Sequence, residues 1–313
     1  MKTPILFLIF NRPDTTREVF KVISNIKPEK LYIAADGPRK NKEGENEKCE
    51  QTRLIVNDID WNCKVNTLFR DENKGCGKAV SEAISWFFAN EEEGIILEDD
   101  IVPHPDFFPY CEELLEKYRN VDNVKFISGR NYLFGKKASE YSYYFSAYNH
   151  VWGWAGWRKT WDIYDFSLQQ KNEKDFEKAI RVYFDDLNAI RFWKIIFKKM
   201  KYGMIDTWDY QLTISLWFDR ALSIIPNSNL VKNIGFSVDA THTKKENKLL
   251  SEYEFESILP IKHPEFVIQN READIAHVLN YEKINISLFD YWRKSLKLET
   301  KYFFRRIKKF YSK

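Results

Sequence analysis

The hydrophobic and polar positions of the first 130 residues form short apolar runs that alternate with amphipathic stretches. Residues 4–10 are continuously apolar, as expected of a strand that is covered on both faces. From Thr15 onward the apolar side chains have helical spacing, and Thr15 and Glu18 stand at the spacing of a capping box. These criteria predict strands at 4–10, 31–35, 65–69, 94–97, 124–128 and 222–226, and helices from 15, over 78–90 and over 173–200.

Strands that alternate with helices are typical of an α/β fold, in which a mostly parallel sheet is flanked by helices. The sequence contains no internal repeat and no low-complexity linker. We therefore predict one catalytic domain over residues 1–245. A helical, basic C-terminal appendage is predicted over residues 246–313.

Each of the first four predicted strands is followed directly by polar or charged residues. The carboxyl ends of the strands are where open α/β sheets bind their ligands. The sharpest of these strand ends is Glu98-Asp99-Asp100, because three adjacent carboxylates repel one another and are costly to bury without a cation. A hard divalent ion such as Mn²⁺ or Mg²⁺ takes oxygen ligands and would offset that cost. The alternative is a solvated acidic turn.

The stretch LEDDIVPHPDFF at residues 97–108 resembles the N-acetylglucosaminyltransferase I family and the bacterial sugar-nucleotide transferases related to it. The resemblance implies a GT-A fold, which is Rossmann-like, and a metal-dependent glycosyltransferase. It also implies that Asp100 binds Mn²⁺ (or Mg²⁺) directly. Glu98 and Asp99 would contact the ribose and sugar of the donor, or the metal through water.

Two other strand ends resemble the nucleotide-binding loops of the same family. Asn11 and Arg12 follow the first strand, where the nucleotide is received, and Asp36 follows the second, where an Asp accepts the imide N–H of uracil. The resemblance therefore favours a UDP-sugar as donor. The alternatives are a surface salt bridge for Arg12 and a turn-forming role for Asp36.

A glycine-rich loop and a tryptophan-rich segment are further candidates beside the donor. The loop at residues 70–79 supplies Arg70, Asn73, Gly75 and Lys78, and glycine-rich turns before helices suit close approach to anions. In HVWGWAGW, residues 150–157, Trp154 is the candidate for stacking on a sugar. A tryptophan-rich core corner is the alternative for this segment.

The catalytic base is expected in the stretch IDTWDYQ at residues 205–211. Its Trp-Asp pair resembles the position of the base in the family, so Asp209 is the first choice and Asp206 the second. An N-cap role is the alternative for Asp209. Residues 233–243 resemble a segment of the bacterial relatives, and many GT-A enzymes supply a late histidine as a metal ligand, so His242 is the candidate for a further ligand. A structural role is the alternative for this histidine.

The resemblance thus implies transfer of a sugar from a UDP-sugar to a glycan or lipid-linked acceptor hydroxyl, in surface polysaccharide synthesis. A single displacement would invert the anomeric centre, and a retaining outcome stays open. Two alternatives stay open. A sugar nucleotidylyltransferase shares the sheet and the carboxylates, although 11–14 (NRPD) lacks its glycine-rich signature. A non-catalytic sugar-nucleotide or glycan-binding protein would keep the fold without turnover.

Charge and cysteine content bear on the partners and the compartment. The formal net charge of +3 does not favour a nucleic-acid binder, and the four irregularly spaced cysteines predict reduced thiols in a cytoplasmic protein. Residues 293–313 carry nine Lys or Arg and one acidic residue, interleaved with aromatic side chains. That composition predicts peripheral binding to the anionic inner face of the cytoplasmic membrane. A helix packed on the domain with solvated charges, or a nucleic-acid-binding tail, are the alternatives.

Overall fold

The computed structural model describes residues 1–235, 256–279 and 286–311. The strands are β1 (Ile5–Ile9), β2 (Lys30–Ala35), β3 (Lys64–Phe69), β4 (Glu93–Glu98), β5 (Ile101–Pro103), β6 (Val124–Ser128), β7 (Tyr143–Ser146), β8 (Trp154–Trp157), β9 (Leu222–Pro226) and β10 (Val231–Asn233). The helices are α1 (Pro13–Ile26), α2 (Glu45–Arg53), α3 (Cys76–Asn90), α4 (Phe107–Tyr118), α5 (Arg158–Trp161), α6 (Glu173–Ile180), α7 (Leu187–Lys201), α8 (Asp209–Phe218), α9 (Arg271–His277) and α10 (Leu288–Tyr311).

The main sheet has eight strands in the order β3-β2-β1-β4-β8-β6-β9-β7. The pairs β3–β2, β2–β1, β1–β4 and β6–β9 are parallel, and the pairs that involve β8 or β7 are antiparallel. A second, two-stranded sheet pairs β5 with β10 antiparallel. The predicted α/β class, with a mostly parallel sheet flanked by helices, is confirmed.

Helices cover the sheet on both faces, as the side chains of β1 illustrate. Phe7 belongs to a core cluster that contains apolar residues of α1 and α4. Its neighbours Leu6 and Leu8 belong to the cluster that contains residues of α3 and α8. Because successive strand residues point to opposite faces, a strand buried between two helical layers must be apolar at every position. The continuous apolar run at 4–10 has this cause.

The predicted start of the first helix is wrong by two residues. The helix begins at Pro13, with Arg12 as N-cap and without a side-chain hydrogen bond at the cap. Proline is favoured in the first turn because its fixed φ suits a helix and its missing N–H is not needed there. Thr15 therefore lies inside the first turn rather than at the N-cap.

The C-terminal segments pack onto the sheet and its helices. Gln269 forms a bridge with Phe145 of β7, and the carboxylate of Asp274 accepts a hydrogen bond from the backbone N–H of Ala147 at 3.0 Å. Further along, α10 packs on α7.

No helix in the described part of the chain is both long and apolar enough to cross a membrane. All four cysteines are free thiols, as predicted.

Candidate active site

The parallel strands bring the predicted acidic motif and the first loop together. β1 pairs with β4 so that Leu8 stands opposite Glu98, and with β2 so that Ile9 stands opposite Ala35. The residues that follow these strands therefore meet at one edge of the sheet. They line a cavity of about 760 Å³.

Arg12 is the counter-ion of the acidic motif. Its guanidinium forms ion pairs with the carboxylates of Asp99 and Asp100, the second at 2.9 Å. The buried carboxylate of Asp99 also accepts a hydrogen bond from the backbone N–H of Phe10 at 3.1 Å. Arg12 thus offsets part of the repulsion among the three carboxylates, which the sequence analysis expected a metal ion to offset.

The third carboxylate, Glu98, lies in an electrostatically unfavourable position. Burial is the main cause that raises its pKa, and the charges of Asp100, Asp99 and Asp209 raise it further, against the opposing effect of Arg12. Burial also raises the pKa of Asp99, although Arg12 opposes it. A positive charge bound beside these carboxylates would lower their pKa and reduce the repulsion between them.

The described residues fit a metal that is shared with a ligand. Among them, no group of three or more His, Cys, Asp or Glu side chains could hold a metal ion. Mg²⁺ is commonly held by one or two carboxylates together with substrate phosphates, and carboxylates also suit Mn²⁺. Asp100, whose side chain is 14% exposed, could supply one such oxygen. The other predicted ligand, His242, lies outside the described residues.

Gly235 closes the site beside Asp100. β10 pairs with β5, and the backbone N–H of Ile234 donates to the carbonyl oxygen of Asp100 at 2.8 Å. A Cβ on Gly235 would collide with the Asp100 carboxylate and with the Arg12 guanidinium. The chain therefore passes too close to this ion pair for any side chain to be present at residue 235.

Asp36 holds the glycine-rich loop in place. Its carboxylate accepts hydrogen bonds from the backbone N–H groups of Gly37 at 2.9 Å, Lys74 at 3.0 Å and Gly75 at 3.2 Å. Asn73 adds a bond from its amide to the carbonyl oxygen of Gly37 at 2.9 Å. Asp36 and Asn73 both line the cavity, and the predicted contact of Asp36 with uracil stays a prediction.

The two candidate bases have different surroundings. Asp206 accepts a hydrogen bond from the backbone N–H of Gly77 at 3.0 Å, so it caps the start of α3 from a distant part of the chain. A Cβ on Gly75 would lie 2.7 Å from the Asp206 carboxylate, and one on Gly77 would lie equally close. Both glycines are thus required by the close approach of Asp206.

Asp209 begins α8 and lines the cavity. Its Oδ1 accepts hydrogen bonds from the Thr207 hydroxyl and from the backbone N–H of Tyr210, the latter at 2.8 Å. Its charge is also among those that raise the pKa of Glu98. The geometry places a fixed carboxylate in the same cavity as the acidic motif, which is where a base would have to act.

The other predicted residues divide between the cavity wall and positions away from it. Asn11 and Arg70 line the cavity, where Asn11 donates to Glu45 at 2.9 Å and Arg70 to Glu82 at 3.3 Å. Lys78 is not among the described lining residues; it is exposed and forms an ion pair with Glu82 at 3.6 Å.

Trp154 lies in the core rather than in the cavity wall. Its ring stacks with those of Phe126, at a centroid distance of 4.8 Å, and Trp208, at 6.2 Å, and the residue is 1% exposed. β8 lies in the middle of the sheet, so its side chains are buried against neighbouring core residues. The structure corrects the sequence-based choice: Trp152, two residues earlier, is the tryptophan of this segment that reaches the cavity.

An aromatic and histidine-rich wall of the same cavity was not predicted. His150 lies 4.6 Å from Tyr132, 6.4 Å from Tyr148 and 4.9 Å from His277, measured between ring centroids. Burial is the main cause that holds the pKa of His150 well below its ordinary value, so the ring is neutral. The aromatic content of residues 141–161 was a signal for part of this wall. The contribution of His277 had none, because α9 is more than 100 residues away in sequence.

Known proteins offer only distant matches. No protein-family model and no curated protein matches the chain. Among solved structures, S. aureus TarS 1–349 is similar at 12% identity and a TM-score of 0.39, over 64% of this chain and 66% of that one. Apo-UDP-glucose pyrophosphorylase is similar at 10% identity and a TM-score of 0.37, over 72% of this chain and 90% of that one. HddC from Yersinia pseudotuberculosis is similar at 12% identity and a TM-score of 0.31, over 54% of this chain and 84% of that one. The chain thus spans slightly less than two thirds of the TarS fragment. The function has to be argued from the site.

Proposed function

We propose that this protein is a metal-dependent glycosyltransferase that moves a sugar from a UDP-sugar to an acceptor hydroxyl. The observation that carries the proposal is the cavity at the carboxyl ends of β1, β2 and β4, which is lined by both the acidic motif and Asp209. A base and a charge-binding group in one cavity are what a displacement at a sugar carbon requires. The mixed sheet is also the arrangement expected of a GT-A enzyme.

The proposed roles follow from the contacts. Asp99, buried and held by Arg12 and Phe10, keeps the motif rigid, and Asp100 would supply an oxygen ligand to a metal bound together with the diphosphate. Mn²⁺ or Mg²⁺, when bound, would neutralise charge on the departing UDP. Asp209 accepts the proton of the attacking acceptor hydroxyl, and a single displacement of this kind inverts the anomeric centre.

The acceptor that we propose is a hydroxyl of a glycan or of a lipid-linked glycan precursor, in surface polysaccharide synthesis. The aromatic wall formed by Tyr132, Trp152 and Trp193 supports a sugar acceptor or donor sugar, since aromatic rings stack on the apolar faces of sugars. This part of the proposal rests on the resemblance of the sequence at residues 97–108.

A sugar nucleotidylyltransferase is the alternative that uses the same donor. The loop after β1 does not favour a nucleotidylyltransferase. Arg12 forms ion pairs with the acidic motif and α1 begins at Pro13, so this loop has no glycine-rich phosphate-binding turn. A non-catalytic binder of sugar nucleotides is the second alternative. It would keep the cavity without using Asp209 as a base.

One set of incubations separates the three functions. The protein is mixed with a panel of UDP-sugars and Mn²⁺, and the products are separated by anion-exchange chromatography. A transferase releases UDP, slowly to water and faster with an acceptor. Formation of UTP that depends on added pyrophosphate would identify a nucleotidylyltransferase instead, and calorimetric binding without any product would identify a binding protein.

A further inference from the structure

The C-terminal helix α10 is docked on the rest of the protein by one face only. Tyr302 stacks on Tyr202 of the α7 end, with ring centroids 4.1 Å apart and planes 9° apart. The Tyr291 hydroxyl donates to Glu173 at 2.6 Å, and Lys198 of α7 donates to Ser295 and, at 2.7 Å, to Glu299. These contacts fix the rotation of α10 about its own axis.

The solvent side of α10 carries a stripe of large apolar side chains. Phe289, Trp292 and Leu296 are 76%, 64% and 66% exposed, and Phe303 and Phe304 are exposed to a similar degree. The spacings of three, four and seven residues place these side chains on one side of the helix. We call this set the apolar stripe; its members are Leu288, Phe289, Trp292, Leu296, Phe303, Phe304 and Ile307.

A second stripe, of basic side chains, runs beside the first. Apart from one adjacent pair at its start, its members follow one another at intervals of three or four residues, and all are exposed. We call this set the basic stripe; it comprises Arg293, Lys294, Lys297, Lys301, Arg305 and Lys308. On a helical projection it lies between the apolar stripe and the docked face, so the solvent side of α10 is half apolar and half cationic.

We propose that these two stripes form a docking surface for an anionic lipid bilayer, with α10 lying in the plane of the membrane interface. Large apolar and aromatic side chains enter the boundary between headgroups and acyl chains, and Lys and Arg beside them attract anionic headgroups. Each basic residue near such a surface contributes roughly fivefold to binding. The proposal does not depend on the catalytic function proposed above.

Charge complementarity selects this partner over others. A second copy of the chain would bring two basic stripes together, which costs energy. A nucleic acid would satisfy the basic stripe but leave the exposed phenylalanine, leucine and isoleucine side chains in water. An anionic bilayer satisfies both stripes at once, and α10 is held rigidly enough by its docked face to present them together.

Vesicle co-sedimentation of the full chain tests the proposal. Vesicles of phosphatidylcholine with phosphatidylglycerol should bind the protein, pure phosphatidylcholine vesicles should bind it far less, and high salt should release it. The triple variant Trp292→Gln, Leu296→Gln, Phe303→Gln should lower the partition coefficient by at least about tenfold. The variant Lys297→Gln, Lys301→Gln, Arg305→Gln should lower it by about a hundredfold.

Matched controls keep the result interpretable. Phe266 and Ile268, which are 69% and 68% exposed but lie outside α10, are changed to Gln together, and this variant should bind vesicles like the unaltered protein. All altered residues are exposed, so each variant should retain its thermal unfolding midpoint. Equal sedimentation of all variants would overturn the proposal. The proposal would also be overturned if the protein failed to bind vesicles and instead formed a dimer through the apolar stripe or bound duplex DNA.

Discussion

Asp206 and Asp209 are three residues apart and both line the cavity, but their hydrogen bonds differ. Asp206 is hydrogen-bonded to the first turn of α3, whereas Asp209 is held by Thr207 and its own helix start. We therefore propose a structural role for Asp206 and a catalytic role for Asp209. Substitution should therefore separate stability from turnover.

We expect Asp209→Asn to lower turnover by about a hundredfold, because an amide cannot accept the proton, while UDP-sugar affinity and the unfolding midpoint stay unchanged. Asp206→Ala should lower the free energy of unfolding by about 1 kcal/mol, the usual cost of a lost helix cap. Steady-state rates and urea denaturation measure the two effects. If Asp206→Asn loses turnover and Asp209→Asn does not, the two roles are exchanged.

The buried side chain of His150 makes the stability of the fold depend on pH. Burial keeps its pKa well below 6.5, and Tyr132, Tyr148, Arg130 and His277 surround it. Below pH 6.5 the unfolded chain binds a proton at this histidine that the folded protein does not. Stability is therefore full above this pH and falls below it, until the lower folded-state pKa is reached.

The expected slope from His150 is up to about 1.4 kcal/mol per pH unit. His150→Phe should reduce the loss of stability between neutral and mildly acidic pH, because phenylalanine does not titrate. Urea denaturation at a series of pH values measures the change, with the half-buried His104, whose side chain is 24% exposed, changed to Phe as the control. An unaltered pH profile in the His150 variant would show that the ring is protonated in the folded state.

At the scale of elements, the sequence predicted the strands whose apolar runs end in polar residues. β1, β2, β3, β4, β6 and β9 were predicted within two residues. Five of them are mostly buried and so have apolar runs with a polar boundary, whereas β3 has exposed and half-buried positions. β7 and β8 were missed, because their residues, YYFS and WAGW, are aromatic on both faces and lack a clear alternation.

The predicted division at residue 245 stays a prediction, but the chain beyond it contributes to the site. α9 is held against β7 by Asp274, whose buried carboxylate accepts hydrogen bonds from Ser146, Ala147 and Gln269. This anchor brings His277 into the cavity wall. Contacts of this range leave no trace in local sequence patterns.

Asp274→Ala should cost about 2 kcal/mol or more of stability, because it leaves a buried hydroxyl and a buried N–H without their acceptor. Asp185 forms a surface ion pair with Arg271 of the same helix at 2.8 Å, and its side chain is 87% exposed. Asp185→Ala should therefore change stability by less than about 1 kcal/mol. Urea denaturation compares the two, and equal losses would contradict the anchoring role of Asp274.

For the whole molecule, the sequence predicted which strand ends converge but not what faces them. The convergence of Arg12, Asp36 and the acidic motif follows from parallel strand order. The aromatic wall of the cavity combines Tyr132, Trp152, Trp193 and His277, which are far apart in sequence. A salt bridge was the alternative role for Arg12, but its partners Asp99 and Asp100 were not predicted, since they depend on the three-dimensional path of the loop.

We propose that Asp100 would hold a divalent metal that binds the diphosphate of a UDP-sugar. Isothermal titration calorimetry of UDP against the protein, with Mn²⁺ and with EDTA, is the decisive test. We expect Mn²⁺-dependent binding of UDP to the unaltered protein and to the control Asp185→Ala, which changes an exposed residue. Asp100→Ala should lose this binding. Its unfolding midpoint should be unchanged, because Arg12 keeps its pair with Asp99. Normal Mn²⁺-dependent affinity in Asp100→Ala, or equal UDP affinity with and without Mn²⁺, would contradict the account.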